Sequence, residues 1–223
     1  MASSLAELQA QFRLQVDDSS EPYLWSDDEI IAFIDEAEDD FCERADAIND
    51  QISLNFLANT VWLEIPEYIT KLRFAMVDDQ SVRICNHDPA ALAGGEDYGS
   101  YTTGWNWQPE TGTQIRALVT DMRLGYVRLY PIPTVGGTLI LDVYRRPIAT
   151  LAERTELEVT DRKQQNAILT KACSLAYAKH DAEVYNPQMS QALEVQYLQT
   201  CDELARSARR RRRNNQSVGY GGL

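Results

Sequence analysis

The residues best able to do chemistry crowd into one stretch: Asp35, Glu36, Glu38, Asp39, Asp40 and Glu43. Carboxylates at this density raise two possibilities, an acid and base pair for glycoside hydrolysis or a metal site. Hydrolysis needs one carboxyl kept protonated by an apolar pocket while its partner stays ionised. A crowd of like charges on one polar helix face offers no means of setting two of them apart. The expectation is therefore an exposed acidic surface, with Asp35, Glu36, Asp39 and Asp40 as a candidate subunit interface. His87 lies near Cys85 and Asp88, but no second ligand pair follows at metal spacing, and a polar turn is the better account. His180-Asp181 falls late in a helix, where an imidazolium suits the dipole. No G-x-S-x-G, Walker, Rossmann or H-E-x-x-H pattern occurs. Neither catalysis, nor a metal, nor a cofactor is expected.

Two further groups suggest binding. Arg206 and the run Arg209, Arg210, Arg211, Arg212 and Arg213 could meet DNA phosphates. The body is acidic, however, and shows no basic groove or recognition helix, so a protein-docking extension or a disordered tail fits better. The stretch from Gly94 to Pro109 is too rich in glycine for a helix and carries Tyr98, Tyr101, Trp105 and Trp107. Those aromatics either anchor a partner or fold back over a sheet edge.

The elements that position these groups follow from periodicity. Ser4 and Glu7 form a capping box for a helix to about Val16, with Leu5, Leu8, Phe12 and Val16 as its stripe. Ser26 and Glu29 form a second box, stapled by Trp25 and Ile30, for a long helix to about Ile48. Its stripe is Ile30, Ile34, Ala37, Phe41, Ala45 and Ile48. Short strands follow: 52–56 and 61–65 around Ala58-Asn59-Thr60, then 72–77 and 82–85 turned at Asp78-Asp79-Gln80. Three more at 115–122, 126–130 and 138–144 turn at Arg123-Leu124-Gly125 and Val135-Gly136-Gly137. Helical spacing returns after Pro147: Asp161 with Gln164 forms a third capping box for one helix, and Asn186-Pro187 opens another lined by Leu193, Tyr197, Cys201 and Leu204.

The fold expected is α+β: a helical bundle formed by N- and C-terminal helices, with an inserted antiparallel β-sheet or sandwich and a basic C-terminal tail. In domain terms, 1–50 is a helical hairpin and 51–150 the β region with a long glycine and aromatic loop at 94–113. Residues 151–205 supply the C-terminal helices, and 206–223 a flexible docking tail. An apolar content of 44% suffices for a proper core. No apolar run approaches the roughly 20 residues of a membrane span, and no secretory signal is expected. Cys42, Cys85, Cys173 and Cys201 are scattered, as suits reduced, buried thiols of a cytoplasmic fold. The net charge of −13 is uneven, with fifteen carboxylates against two arginines in residues 1–50. From charge alone, an acidic head and a basic tail either attract one another between copies or are simply a solvated face and a disordered tail, and the second account is the better one.

Several segments together resemble the head–tail adaptor (connector) proteins of short-tailed bacteriophages. Phe12-Arg13, Val16-Asp17-Asp18, the run from Pro22 to Glu29 and that from Ile34 to Glu38 carry the N-terminal part of the likeness. Leu129-Tyr130-Pro131-Ile132-Pro133 and Val143-Tyr144-Arg145-Arg146-Pro147 are similar to strand ends of the family's β region. The run from Ala176 to Glu183, the break at Asn186-Pro187 and the arginine-rich end complete it, over most of residues 12–213. Trp105 and Trp107 fall outside the match.

The resemblance implies a structural virion protein, not an enzyme. Such adaptors assemble as a dodecameric ring beneath the portal protein, extend the DNA channel without reading sequence, and present a surface to the tail nozzle or tail fibres. Their C-terminal end reaches the portal, which would make Arg206 and Arg209 to Arg213 the clasp. The implied location is the virion neck, after assembly in the host cytoplasm. Two other classes remain: a phage-associated peptidoglycan hydrolase acting through a carboxylate of residues 27–43, and a DNA-binding accessory protein using the arginines.

Overall fold

The computed structural model describes residues 4–86, 108–180 and 185–213, with side chains through Ala208. The aromatics Tyr98, Tyr101, Trp105 and Trp107, together with His87, lie outside the described residues. The described chain is α+β and divides into two units, one built from Met1–Ile48 with Arg146–Leu223, the other from Asn49–Arg145.

The first unit holds four helices among the described residues: α1 (Leu5–Gln15), α2 (Asp27–Ala45), α3 (Arg162–Ala178) and α4 (Pro187–Arg213). Two of the three expected capping boxes form, those at Ser4 and Ser26; the third, at Asp161, lacks the return bond from the Gln164 side chain. The Glu7 amide donates to Ser4 Oγ and the Ser4 amide to Glu7 Oε2, and Ser26 with Glu29 repeats the exchange. Trp25 and Ile30 are both buried, as a staple requires. The Trp25 ring meets Phe12 and Tyr177 edge-on at 6.0 and 6.1 Å. Asp161 caps α3 by accepting from the Lys163 and Gln164 amides, and Asn186 accepts from the Met189 amide at the start of α4. Helix α3 packs on each of the other three. Leu8, Phe12, Ile34, Phe41, Ile168, Ala172 and Tyr197 fill the core they share.

Helix α2 stops at Ala45, short of the expected Ile48. Asp46 turns into the left-handed region at φ 51°, and Ile48 already opens a strand. Helix α4 carries the arginines through Arg213 within its span, where an end before Arg206 was expected. Arginine is a good helix former, and cations in a last turn suit the dipole.

Among the described residues the second unit holds a sheet of seven strands, ordered β1-β9-β3-β4-β6-β7-β2. These are β1 (Ile48–Phe56), β2 (Trp62–Glu64), β3 (Ile69–Val77), β4 (Gln80–Cys85), β6 (Ala117–Arg123), β7 (Tyr126–Tyr130) and β9 (Gly137–Arg145). β5 (Thr111–Gly112) and β8 (Ile132–Pro133) form a small parallel pair beside it. Two hairpins stand where the turn residues put them, β3 with β4 and β6 with β7. The expectation of a purely antiparallel sheet is corrected, because β4 and β6 run parallel. A short turn forces antiparallel neighbours, whereas the long connection from 86 to 116 leaves β6 free to run either way. Nor do the strands flanking Ala58-Asn59-Thr60 pair with each other: β1 lies against β9 and β2 against β7.

Leu118, Leu129, Leu139, Leu141 and Val143 fill the core of the sheet, and Phe56 closes one end. A Cβ at residue 137 would sit 2.9 Å from Phe56 Cζ, so any larger residue there must displace that ring.

Candidate interaction surfaces

Helix α2 does not present its carboxylates as one exposed acidic face. Glu38 is fully buried, which overturns that expectation. Arg154 reaches it at 2.9 Å, and the Glu158 and Val159 amides donate to its other oxygen at 2.9 and 3.2 Å. Asp35 accepts from the Leu151 amide at 2.6 Å and from Arg154 at 3.4 Å. The physical reason lies in the segment 151–159, which forms neither helix nor strand. Its inward amides need acceptors, and α2 supplies them.

Burial pushes the Glu38 carboxyl above its ordinary range, against the pull of Arg154 and the two amides. All its partners are donors, so the ionised form is the one this pocket satisfies. A raised carboxyl is what a hydrolase would want, but this one is closed off from any substrate by the segment it holds.

The neighbouring acids are also drawn inward. Burial would raise Asp40, yet hydrogen bonds from Arg44 at 2.8 Å and from the Tyr197 hydroxyl at 2.7 Å hold it below its usual value. Burial lifts Asp39, which faces Arg146 at 3.8 Å. Of the four acids proposed for a subunit contact, Glu36 alone is exposed without a partner among the described residues. Asp28 and Glu43 share that condition and extend an outer acidic stripe along α2. A local signal did mark Glu38: it falls four residues after Ile34 and three before Phe41, on the apolar stripe itself.

Helix α4 shows the opposite character. Its inner face buries Tyr197 and Cys201, with Leu193 and Leu204 beside them. Its outer face leaves Met189 45%, Val195 49% and Leu198 38% exposed. Its one charged residue before Asp202, Glu194, is tied to Lys171 at 2.7 Å. Arg206 is exposed, with Asp202 at 3.7 Å one turn back, and Arg209 to Arg213 continue the same helix.

The four cysteines are buried and free, and burial pushes Cys173 up to about 12. His180 is exposed just beyond α3, its ring 4.6 Å from that of Tyr185. Among the described residues no three His, Cys, Asp or Glu side chains group to hold a metal, and no helix is long and apolar enough to cross a membrane.

Carboxylates of α2 thus hold the segment 151–159, while α4 exposes apolar residues and Arg206. The chain belongs to the SU10 adaptor protein family, whose model matches residues 3–219. That membership makes it a structural adaptor of bacteriophage virions, as the resemblance implied. No curated protein matches the chain.

Proposed function

We propose that the protein is a head–tail adaptor whose copies form a ring beneath the portal, extend the DNA channel and attach the tail nozzle or fibres. The family match over 3–219 carries this reading. The arrangement of the first unit supports it, with carboxylates drawn into internal pairs and a long outer helix ending in arginines.

In this reading the helices act as a bundle that sets the shape of each copy, with the β region inserted. Arg206 and Arg209 to Arg213 dock on carboxylates of the portal or of a neighbouring copy through charge-assisted hydrogen bonds. Tyr98, Tyr101, Trp105 and Trp107 provide the tail-facing contact. DNA passes a channel wall whose surplus of negative charge discourages adhesion. Assembly takes place in the host cytoplasm, and the finished protein resides in the virion neck.

The test is to mix purified portal with the full chain and with a variant lacking 206–223, then image the products. The full chain should add a layer to portal rings, and the truncated chain should stay folded and unattached. Docking of the truncated chain at undiminished affinity would remove the assigned clasp. Failure of the full chain to join portal at all would remove the adaptor reading.

A further inference from the structure

Helix α4 carries two stripes. Leu193, Tyr197, Cys201 and Leu204 face the core. On the opposite side Gln188, Ala192, Val195, Leu198 and Asp202 recur at helical spacing and are all exposed, with Gln191 and Gln199 between them. A chain with a net charge of −13 repels its like wherever carboxylates meet. From Pro187 to Cys201, α4 has one charged residue, Glu194, and Lys171 holds it at 2.7 Å. The outer side of α2, by contrast, carries Asp28, Glu36 and Glu43. The α4 stripe is thus a surface on which two copies meet without setting acid on acid.

How the stripe fits a second copy of itself depends on direction. In a parallel pair each residue faces its own duplicate, so Asp202 meets Asp202 and Arg206 meets Arg206. An antiparallel pair centred on Val195 avoids both repulsions. Val195 then meets Val195, Ala192 meets Leu198, Gln191 meets Gln199 and Gln188 meets Asp202. A small side chain stands opposite a large one, which lets the ridges of one helix enter the grooves of the other. The Gln188 amide has donors for the Asp202 carboxylate, which on its own helix has Arg206 at 3.7 Å. On the flanks Glu194 faces Gln196 and Glu203 faces Pro187, so no carboxylate meets another.

The geometry points to a two-fold contact between copies in solution: α4 packs antiparallel on α4 of a second copy, with Val195 on the axis. The same patch serves both partners, so the contact closes at two copies. It is therefore not the contact that builds a ring, and it stands apart from the adaptor reading. It covers the exposed apolar residues of α4 while the chain is free.

Sedimentation of the full-length chain tests it. At about 0.1 mM the native chain should be largely dimeric, and about 0.5 M salt should leave it so, because the centre of the contact is apolar. Val195→Glu sets two like charges on the axis and should raise the dimer Kd roughly tenfold or more, with helical circular dichroism unchanged. Asn166→Glu adds the same charge at an exposed position of α3 and should leave the Kd as it was. A native chain that stays monomeric at about 0.1 mM, where even weak specific contacts populate, would overturn the contact. So would a folded Val195→Glu chain that pairs as well as the native one.

Single cysteines read direction and register independently. The four native cysteines are buried and stay out of the reaction. Val195→Cys should oxidise to a disulfide-linked dimer. Ala192→Cys and Leu198→Cys should each link poorly alone and efficiently when mixed. Equal linking at all three single sites, as a parallel pair demands, or none at residue 195, would overturn the pairing. Portal binding is measured separately: its failure removes the adaptor reading and leaves this contact, and loss of the dimer does the reverse.

Discussion

Glu38 shows what a single buried carboxylate does here. It balances the Arg154 guanidinium and closes two backbone amides of a segment more than a hundred residues away in the chain. Removing one member of a buried pair leaves the other uncompensated, a loss of several kcal/mol in general. Glu38→Gln should therefore lower unfolding free energy by about 3 kcal/mol in urea titration. The exposed Glu36→Gln should change it by less than about 0.5 kcal/mol. Equal effects at the two positions would mean that the pair contributes nothing. Tyr197 acts on a smaller scale: its hydroxyl donates to Asp40 at 2.7 Å, and Tyr197→Phe should cost about 1–2 kcal/mol. The same change should raise the Asp40 pKa, measured by carboxyl NMR titration, because a donor to the charged form is lost.

At the scale of the element, the start of α2 is fastened from two sides. Glu29 accepts hydrogen bonds from Lys179 beyond α3 and from the Ser26 amide, and these bring it from 4.5 down to about 2. A carboxyl depressed in the folded state stabilises the fold above its unfolded pKa and loses that effect as pH falls through the folded value. Glu29→Gln should thus lower Tm at neutral pH, and the gap to the native chain should close between pH 4.5 and about 2. A gap that persists unchanged at pH 2 would refute the assignment. Such caps were legible from sequence because Ser26 and Glu29 are local partners, as are Ser4 and Glu7. The turns at Asp78-Asp79 and at Gly125 were legible for the same reason. Strand order was not, since nothing in β4 or β6 states that they run side by side across the long connection from 86 to 116. The acidic face was misread because the countercharge that draws Glu38 inward, Arg154, lies outside any local window. The outer apolar residues of α4 went unnoticed because the helix was read for its buried stripe alone.

On the scale of the whole molecule, the β unit is a single continuous insertion within a helical unit whose two parts flank it. Its first and last strands are neighbours, and Asp50 accepts from Arg145 at 2.7 Å where they meet. Ends held this close are what allow one unit to interrupt another without cutting its core. Residues 49–145 also own a separate apolar core, from Phe56 to Val143. Expressed alone, they should give a β-rich circular dichroism spectrum and a cooperative denaturant transition. The reciprocal variant replaces 49–145 by a short glycine and serine linker, and it should keep its helices because α1 to α4 share a core of their own. A linker variant that loses its helical circular dichroism would show that the helical core does not hold together without the inserted strands.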